Sequence, residues 1–207
     1  MFDAQIREKL EQPLAVVAAY LDRSWITPDR ITTVGLTLGL GSAVTAALQW
    51  WTIALLLWLA SRIADGLDGP LARRRAARTG HSSGAGGFYD ITADFVVYGS
   101  TVVGVAIGVG IAYDAPMWPF LLVLLAYYIN GAAFLAFSSI AERYDRTLDD
   151  GRSLSFLGGL AEGAETIVVH SLWLLFPMLG WYIAVVWAIV VGTSAAHRII
   201  AGYHALR

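Results

Sequence analysis

The sequence predicts an all-α membrane protein, six transmembrane helices preceded by an amphipathic helix at the interface. Three observations carry this. The chain is 57% hydrophobic, with 14% charged residues and a mean hydropathy of +0.61, too apolar for an ordinary soluble domain. Apolar tracts recur at about 31–50, 52–64, 88–111, 117–140, 157–176 and 181–200, most of them near the roughly 20 residues that a spanning helix needs. The basic residues are also segregated: all 14 Lys and Arg lie in the N-terminal segment, the link after Asp68, the loop around Arg143 and Arg152, the C-terminal end or, for Arg62, inside a helix, and none lies in the alternate loops near Gln49, Asp114 and Gly180. By the positive-inside rule both termini face the cytoplasm. A single membrane domain over 1–207 is expected, with 1–25 as the juxtamembrane helix and 29–204 as the six-helix bundle.

In the N-terminal segment Phe2, Ile6, Leu10, Leu14, Val17 and Leu21 recur every three or four positions opposite Arg7, Glu8, Lys9 and Glu11, the pattern of an interfacial helix or of a scaffold helix packed on the bundle. Asp3, Glu8 and Glu11 interrupt the place where a cleavable signal would carry its basic and apolar regions, so none is expected. Thr27 and Pro28 then read as the N-cap and first turn of the first span, in which Gly35 and Gly39 allow close helix contact. The second tract is short and becomes a full span only by continuing through 65–75. Trp50, Trp51, Trp118 and Trp181 mark the outer ends of spans, as an aromatic belt does. Asn130 reads as a helix-to-helix hydrogen-bonding residue and His170 as a hydrogen-bonded interior histidine. With no cysteine in the chain, a thiolate metal site is excluded. No nucleic-acid partner is expected.

The chemistry concentrates between Asp65 and Asp94. Asp65 and Asp68 are three residues apart, Asp90 and Asp94 four apart, so each pair shares one face of its own helix. An ionised side chain costs at least a few kcal/mol in a bilayer helix, and four facing one another need a compensating attraction, most simply divalent cations. Two carboxylate pairs suit two metals about 4 Å apart, an arrangement that clamps the attacking and leaving oxygens of a phosphoryl centre. Gly69 and Ala72 continue the acidic face with almost no side chain, leaving room for a nucleotide. Pro70 removes the helical partner of the Gly66 carbonyl. Arg73, Arg74, Arg75 and Arg78 add positive charge just outside, either for a ligand or for topology.

The pattern Asp65-x-x-Asp68-Gly69-x-x-Ala72-Arg73, followed by Gly86-x-x-x-Asp90-x-x-x-Asp94, resembles the signature of the CDP-alcohol phosphatidyltransferases, integral membrane enzymes of phospholipid synthesis, and the six-span layout is similar along nearly the whole chain. The link from Arg73 to Gly86 is longer than is usual in the family, an insertion that loop-closure entropy tolerates. The resemblance implies that Asp65, Asp68 and Asp90 ligate two Mg²⁺ or Mn²⁺ ions, with Asp94 completing the quartet and acting as general base. It implies that Gly69, Ala72, Arg73 and Gly86 border a CDP group beside Asp65, with Asp29 and Thr32 in a weaker match to a Pro-Asn and threonine of the family's first span. The implied reaction moves a phosphatidyl group from CDP-diacylglycerol, or a similar CDP-linked lipid, to the hydroxyl of a small alcohol, releasing CMP. The positive-inside rule puts the carboxylate end of the helices, and so the active site, on the cytoplasmic side; a bacterial-type inner membrane is expected, and the resemblance implies a homodimer, with Gly104 and Gly108 considered for the dimer contact.

For the acceptor, Arg143, Arg152 and Arg198 suit a phosphorylated alcohol, glycerol 3-phosphate first and inositol phosphate next, with snorkelling to the interface as the other account of these arginines. Glu162 and Glu165 either line the acceptor pocket or neutralise Arg62 or another buried base. Two other functions fit less of the pattern: a CDP-alcohol phosphotransferase that moves a polar head group to a lipid, and a cation transporter or non-catalytic binding protein that uses the acids only as a site.

Overall fold

The structure is a computed structural model that describes residues 2–80, 84–144 and 162–207, with side chains from Gln12 onward in the first helix. Among the described residues it is all-helical: α1 (Phe2–Leu21), α2 (Pro28–Ala47), α3 (Trp51–Thr79), α4 (Gly84–Tyr113), α5 (Trp118–Arg143), α6 (Gly163–Leu175) and α7 (Gly180–Leu206), with a 3₁₀ turn at Pro177–Leu179 ahead of α7. Three helical segments, Gly84–Tyr113, Trp118–Arg143 and Pro177–Leu206, are long and apolar enough to cross a membrane. Their outward side chains are apolar, Leu121, Tyr128, Val186 and Ile189 being exposed, as a lipid-facing surface requires. The tract expected at 157–176 begins outside the described residues, and its described part is the short α6.

Local signals place the helix ends. The Thr27 side chain accepts from the Arg30 amide at 3.2 Å, capping α2 with Pro28 at its first turn. Helix α3 runs unbroken through Pro70 and onward to Thr79, taking in most of what reads from sequence as a link. The alanines and arginines at 72–78 are strong helix formers, and Gly80, at φ 70°, ends the helix in the left-handed conformation that glycine adopts freely.

Helix α2 packs against both α3 and α4, while α5 packs on α7. Small residues permit the close approach. A Cβ at Gly104 would collide with the Ala43 carbonyl, one at Gly108 with the Ala46 carbonyl, and one at Gly39 with Val97. Gly104 and Gly108 therefore serve the α2–α4 contact inside the chain, which corrects their consideration as a contact between copies. Ser42 donates to the Ala54 carbonyl at 2.8 Å and Ser61 to the Gly35 carbonyl at 2.7 Å, tying α2 to α3 at two levels.

The main core gathers Trp58, Val97, Val105, Val109, Phe120, Trp173, Trp187 and Val191. His170 is fully buried within it, and Tyr127 joins two helices there: Trp187 Nε1 donates to the Tyr127 hydroxyl at 2.7 Å, and that hydroxyl shares a hydrogen bond with His170 Nε2 at 2.9 Å.

A smaller core of Ala18, Ile31, Ala64, Leu67 and Leu71, with Leu14, Leu21 and Ile26 against it, seats the second half of α1 on α2 and α3. The packed face runs through Leu14, Ala18 and Leu21, one helical stripe. Val17, expected on that face, is exposed.

Candidate active site

Helices α3 and α4 each deliver two aspartates to one end of the bundle, Asp65 and Asp68 from α3, Asp90 and Asp94 from α4. The carboxylates lie within electrostatic reach of one another, Asp65 with Asp90 and Asp94, and Asp68 with Asp90 and Asp94. Asp68 is buried. Its Oδ2 accepts from Thr32 Oγ1 at 2.5 Å, so α2 contributes a third wall, and the same hydroxyl lies 3.2 Å from the Pro28 carbonyl.

Beside these groups opens a cavity of about 390 Å³, lined from α2 by Pro28, Asp29 and Thr32, from α3 by Asp68, Gly69, Ala72, Arg73, Arg75 and Ala76, and from α4 by Ala85, Gly86, Gly87 and Asp90. The volume falls in the range of small-molecule sites. Every residue carried over for the nucleotide lines this hollow except Asp65, which, with Asp94, lies against Arg62. A Cβ at Gly86 would sit 3.5 Å from Asp29 Oδ1 and one at Gly69 3.3 Å from Arg73 Nη1, so at both points the missing side chain keeps the cavity open.

The buried Arg62 is the cation of the quartet. Its Nη1 donates to Asp94 Oδ1 at 2.6 Å and lies 3.6 Å from Asp65 Oδ2. The same nitrogen reaches the Tyr98 hydroxyl at 3.2 Å, and Nη2 donates to Ser61 Oγ at 3.0 Å. The guanidinium carbon is 5.2 Å from the Trp58 ring centre and 5.0 Å from that of Tyr98, within cation–π range of both. The ion pairs of Arg62 are thus with Asp94 and Asp65, which corrects the expectation that Glu162 and Glu165 might neutralise it.

Of the basic cluster after Asp68, three members converge on one acid that sequence reasoning passed over. Asp22 accepts from Arg74 Nε at 3.3 Å, Arg75 Nε at 3.0 Å and Arg78 Nη1 at 3.0 Å. The Arg75 hydrogen bond, with the charges of Arg78 and Arg75, holds the Asp22 carboxyl below the usual carboxylate range. Arg75 Nη2 also donates to the Arg23 and Ile26 carbonyls, each at 2.7 Å. Arg73 alone of the four faces the cavity without joining this clamp.

The acceptor candidates are dispersed. Arg143 is exposed at the end of α5, and Arg152 lies outside the described residues. Glu162 stands at the N-cap of α6, and Glu165, half-buried in its first turn, has a buried Oε2 with no hydrogen-bond partner among the described residues. Arg198 does not snorkel: it is buried, donates to Asn130 Oδ1 at 3.2 Å and stacks on Phe134 at 5.7 Å. None of the described ones lines the cavity.

Four carboxylates are hard oxygen donors that suit Mg²⁺ or Mn²⁺, and their grouping on two facing helices fits such ions in kind. Among the described residues no three acidic or imidazole groups already converge into an ion cage.

Among the described residues, an all-helical bundle with apolar outer faces, an acidic quartet at one end and a hollow of small-molecule size beside it has the architecture of a membrane-embedded protein. The chain belongs to the CDP-alcohol phosphatidyltransferase family, whose pattern matches residues 25–194. It is 36% identical over 185 residues to the inner membrane protein YnjF of Escherichia coli, covering 88% of this chain and 84% of that one. It is 31% identical over 150 residues to the archaetidylinositol phosphate synthase of Pyrococcus horikoshii, covering 70% and 78%. The fold is shared with the phosphatidylinositol phosphate synthase PgsA1 of Mycobacterium tuberculosis, solved with CDP-DAG bound, at a TM-score of 0.66 and 19% identity, covering 93% of this chain and 92% of that one. The same enzyme in complex with manganese and citrate superposes with a TM-score of 0.65 at 21% identity, covering 93% and 88%.

Proposed function

We propose that the protein transfers a phosphatidyl group from CDP-diacylglycerol, or a comparable CDP-linked lipid, to the hydroxyl of a small alcohol, with release of CMP. The observation that carries this reading is the cavity around which α3 and α4 set Asp68, Gly69, Ala72, Arg73, Gly86 and Asp90, with Thr32 of α2 beside them; these six belong to the signature of a family whose solved member PgsA1 has been crystallised with CDP-DAG. The domain is read as one unit over 1–207, with six spans, α3 and α6 included, both termini and the cavity on the cytoplasmic side, and a homodimeric assembly.

In this reading Asp65, Asp68, Asp90 and Asp94 hold two Mg²⁺ or Mn²⁺ ions, in line with the manganese complex of PgsA1. Bound there, the ions supply Lewis-acid neutralisation of the charge that grows on the diphosphate. Gly69, Ala72 and Gly86 let the nucleotide approach the helix backbones, and Arg73 and Asp29 border it. Asp94 accepts the proton of the acceptor hydroxyl as its oxygen forms a bond to the lipid-side phosphorus, while the bond from that phosphorus to the CMP oxygen breaks. The acceptor is a small phosphorylated alcohol, inositol phosphate or glycerol 3-phosphate, bound towards Arg143, Arg152, Glu162, Glu165 and Arg198. Two relatives bear the names of inositol-phosphate lipid synthases.

The test is CMP release by the purified protein from radiolabelled CDP-diacylglycerol offered a panel of phosphorylated and neutral alcohols, with and without Mn²⁺, and with soluble CDP-alcohols in a parallel arm. The reading expects metal-dependent CMP release and one new lipid product. Asp94→Asn should retain donor binding and lose turnover. Activity only with soluble CDP-alcohols, or full turnover in Asp94→Asn, overturns the donor or the base.

A further inference from the structure

We propose that Arg62 is a positioning residue for Asp94 and a built-in cation that weakens the quartet's hold on divalent metal. The inference rests on the reading of Asp94 as the base and of the quartet as metal ligands. It deepens that reading by a residue that the signature motif does not contain, one turn before Asp65.

The geometry is specific. Arg62 is buried, and its guanidinium lies beside the rings of both Trp58 and Tyr98. Ser61 Oγ and the Tyr98 hydroxyl fix the two terminal nitrogens, and Nη1 is aimed at Asp94 Oδ1, with Asp65 Oδ2 just beyond. Ser61 is itself tied to the Gly35 carbonyl, so the chain of contacts reaches back to α2. Nε has no hydrogen-bond partner among the described residues. The side chain is thus held by its two ends rather than by a full set of donors.

Two consequences follow. One oxygen of Asp94 is committed to Arg62, which sets the direction of the other, and a general base must sit within hydrogen-bond reach of the proton it takes. A fixed positive charge also stands 2.6 Å from one candidate ligand and 3.6 Å from another, so each divalent ion bound by the quartet meets a like charge at close range. Arg62 therefore trades metal affinity for orientation of the base.

The test uses the full chain in detergent micelles. Free Mn²⁺ is followed by its electron paramagnetic resonance signal, and CMP release from CDP-diacylglycerol is measured separately. Arg62→Met should bind Mn²⁺ roughly 10-fold tighter, because the competing charge is gone. Its kcat should fall on the order of 100-fold, with KM for the CDP-lipid changed less than about 3-fold, as for a base displaced by about 1 Å. Arg62→Lys keeps the charge without the fork, so it should hold Mn²⁺ affinity within about 3-fold of the unmodified protein and recover part of kcat. It carries the test if the methionine variant does not fold. Unchanged or weaker Mn²⁺ binding in Arg62→Met, unchanged kcat in it, or full loss of turnover in Arg62→Lys overturns the proposal. Asp68→Ala separates the two levels: if it leaves Mn²⁺ binding intact, the metal reading itself fails, whereas if it abolishes binding and Arg62→Met behaves as the unmodified protein, only the role of Arg62 fails.

Discussion

Thr32 on α2 and Asp68 on α3 are joined by a 2.5 Å hydrogen bond in the buried wall of the cavity. The hydroxyl fixes which oxygen of Asp68 faces the hollow and leaves the other for a ligand. A hydrogen bond to a charged group is worth about 1.5–3 kcal/mol. Thr32→Val, which keeps the shape, is expected to raise the Mn²⁺ or CDP-lipid requirement for CMP release by roughly 10- to 100-fold, measured by titrating each in turn. Unaltered titrations would remove Thr32 from the site.

Asp22 gives a pH signature. Its carboxyl is held below the ordinary carboxylate range by the Arg75 hydrogen bond first and then by the charges of Arg78 and Arg75, against the cost of burial. A depressed folded value means stability that is present above the unfolded value and is lost only as pH falls through the folded one. The thermal midpoint of Asp22→Asn is expected to lie below that of the unmodified protein by a constant margin from neutral pH to about pH 5, and the margin should close only below the ordinary carboxylate range. A margin that vanishes nearer neutrality would show that the arginine clamp is not its source.

Gly104 and Gly99 form a matched pair on α4. A Cβ at Gly104 runs into the α2 backbone at Ala43, whereas one at Gly99 meets nothing within 4 Å. Gly104→Val should destabilise by about 1–3 kcal/mol or more through overpacking. Gly99→Ala should be neutral or stabilising by up to about 1 kcal/mol through helix propensity. Chemical or thermal unfolding in detergent reads both.

Ala72 is exposed on α3 and lines the cavity. Ala72→Phe fills the hollow without disturbing the buried core, so KM for the CDP-lipid should rise at least about 10-fold, the equivalent of about 1.4 kcal/mol, while the thermal midpoint stays put. An unchanged KM would place the donor elsewhere.

Tyr127 accepts from Trp187 and shares a hydrogen bond with His170 in the interior. Tyr127→Phe leaves both partners without it, and an unsatisfied buried polar group costs about 1–3 kcal/mol. Unfolding stability should fall by that order without change in KM for the CDP-lipid, since none of the three residues lines the cavity.

What sequence revealed and what it hid divides along range. The pairing of Asp65 with Asp68 and of Asp90 with Asp94 was legible because helical periodicity is local, and the Thr27 cap because its signal lies within one turn. Asn130 was legible as a polar residue in an apolar tract and did find a partner in Arg198. The Asp22 clamp was not, since its arginines lie 52 to 56 positions away and no spacing rule spans that gap. Arg62 looked like a buried base in need of an acid, but only the register of α3 against α4 decides that the acid is Asp94. Val17 and Ala18 exchanged places on the packed face of α1 because periodicity of three or four leaves a one-residue choice that only the neighbour resolves.

The two serine bonds between α2 and α3, at Ser42 and Ser61, have a mechanical outcome. Pinned at two heights, that hairpin resists being prised apart, so two walls of the hollow move as one. Any widening of the hollow would have to come from its third side, where the opening turn of α4 presents Gly86 and Gly87 to it.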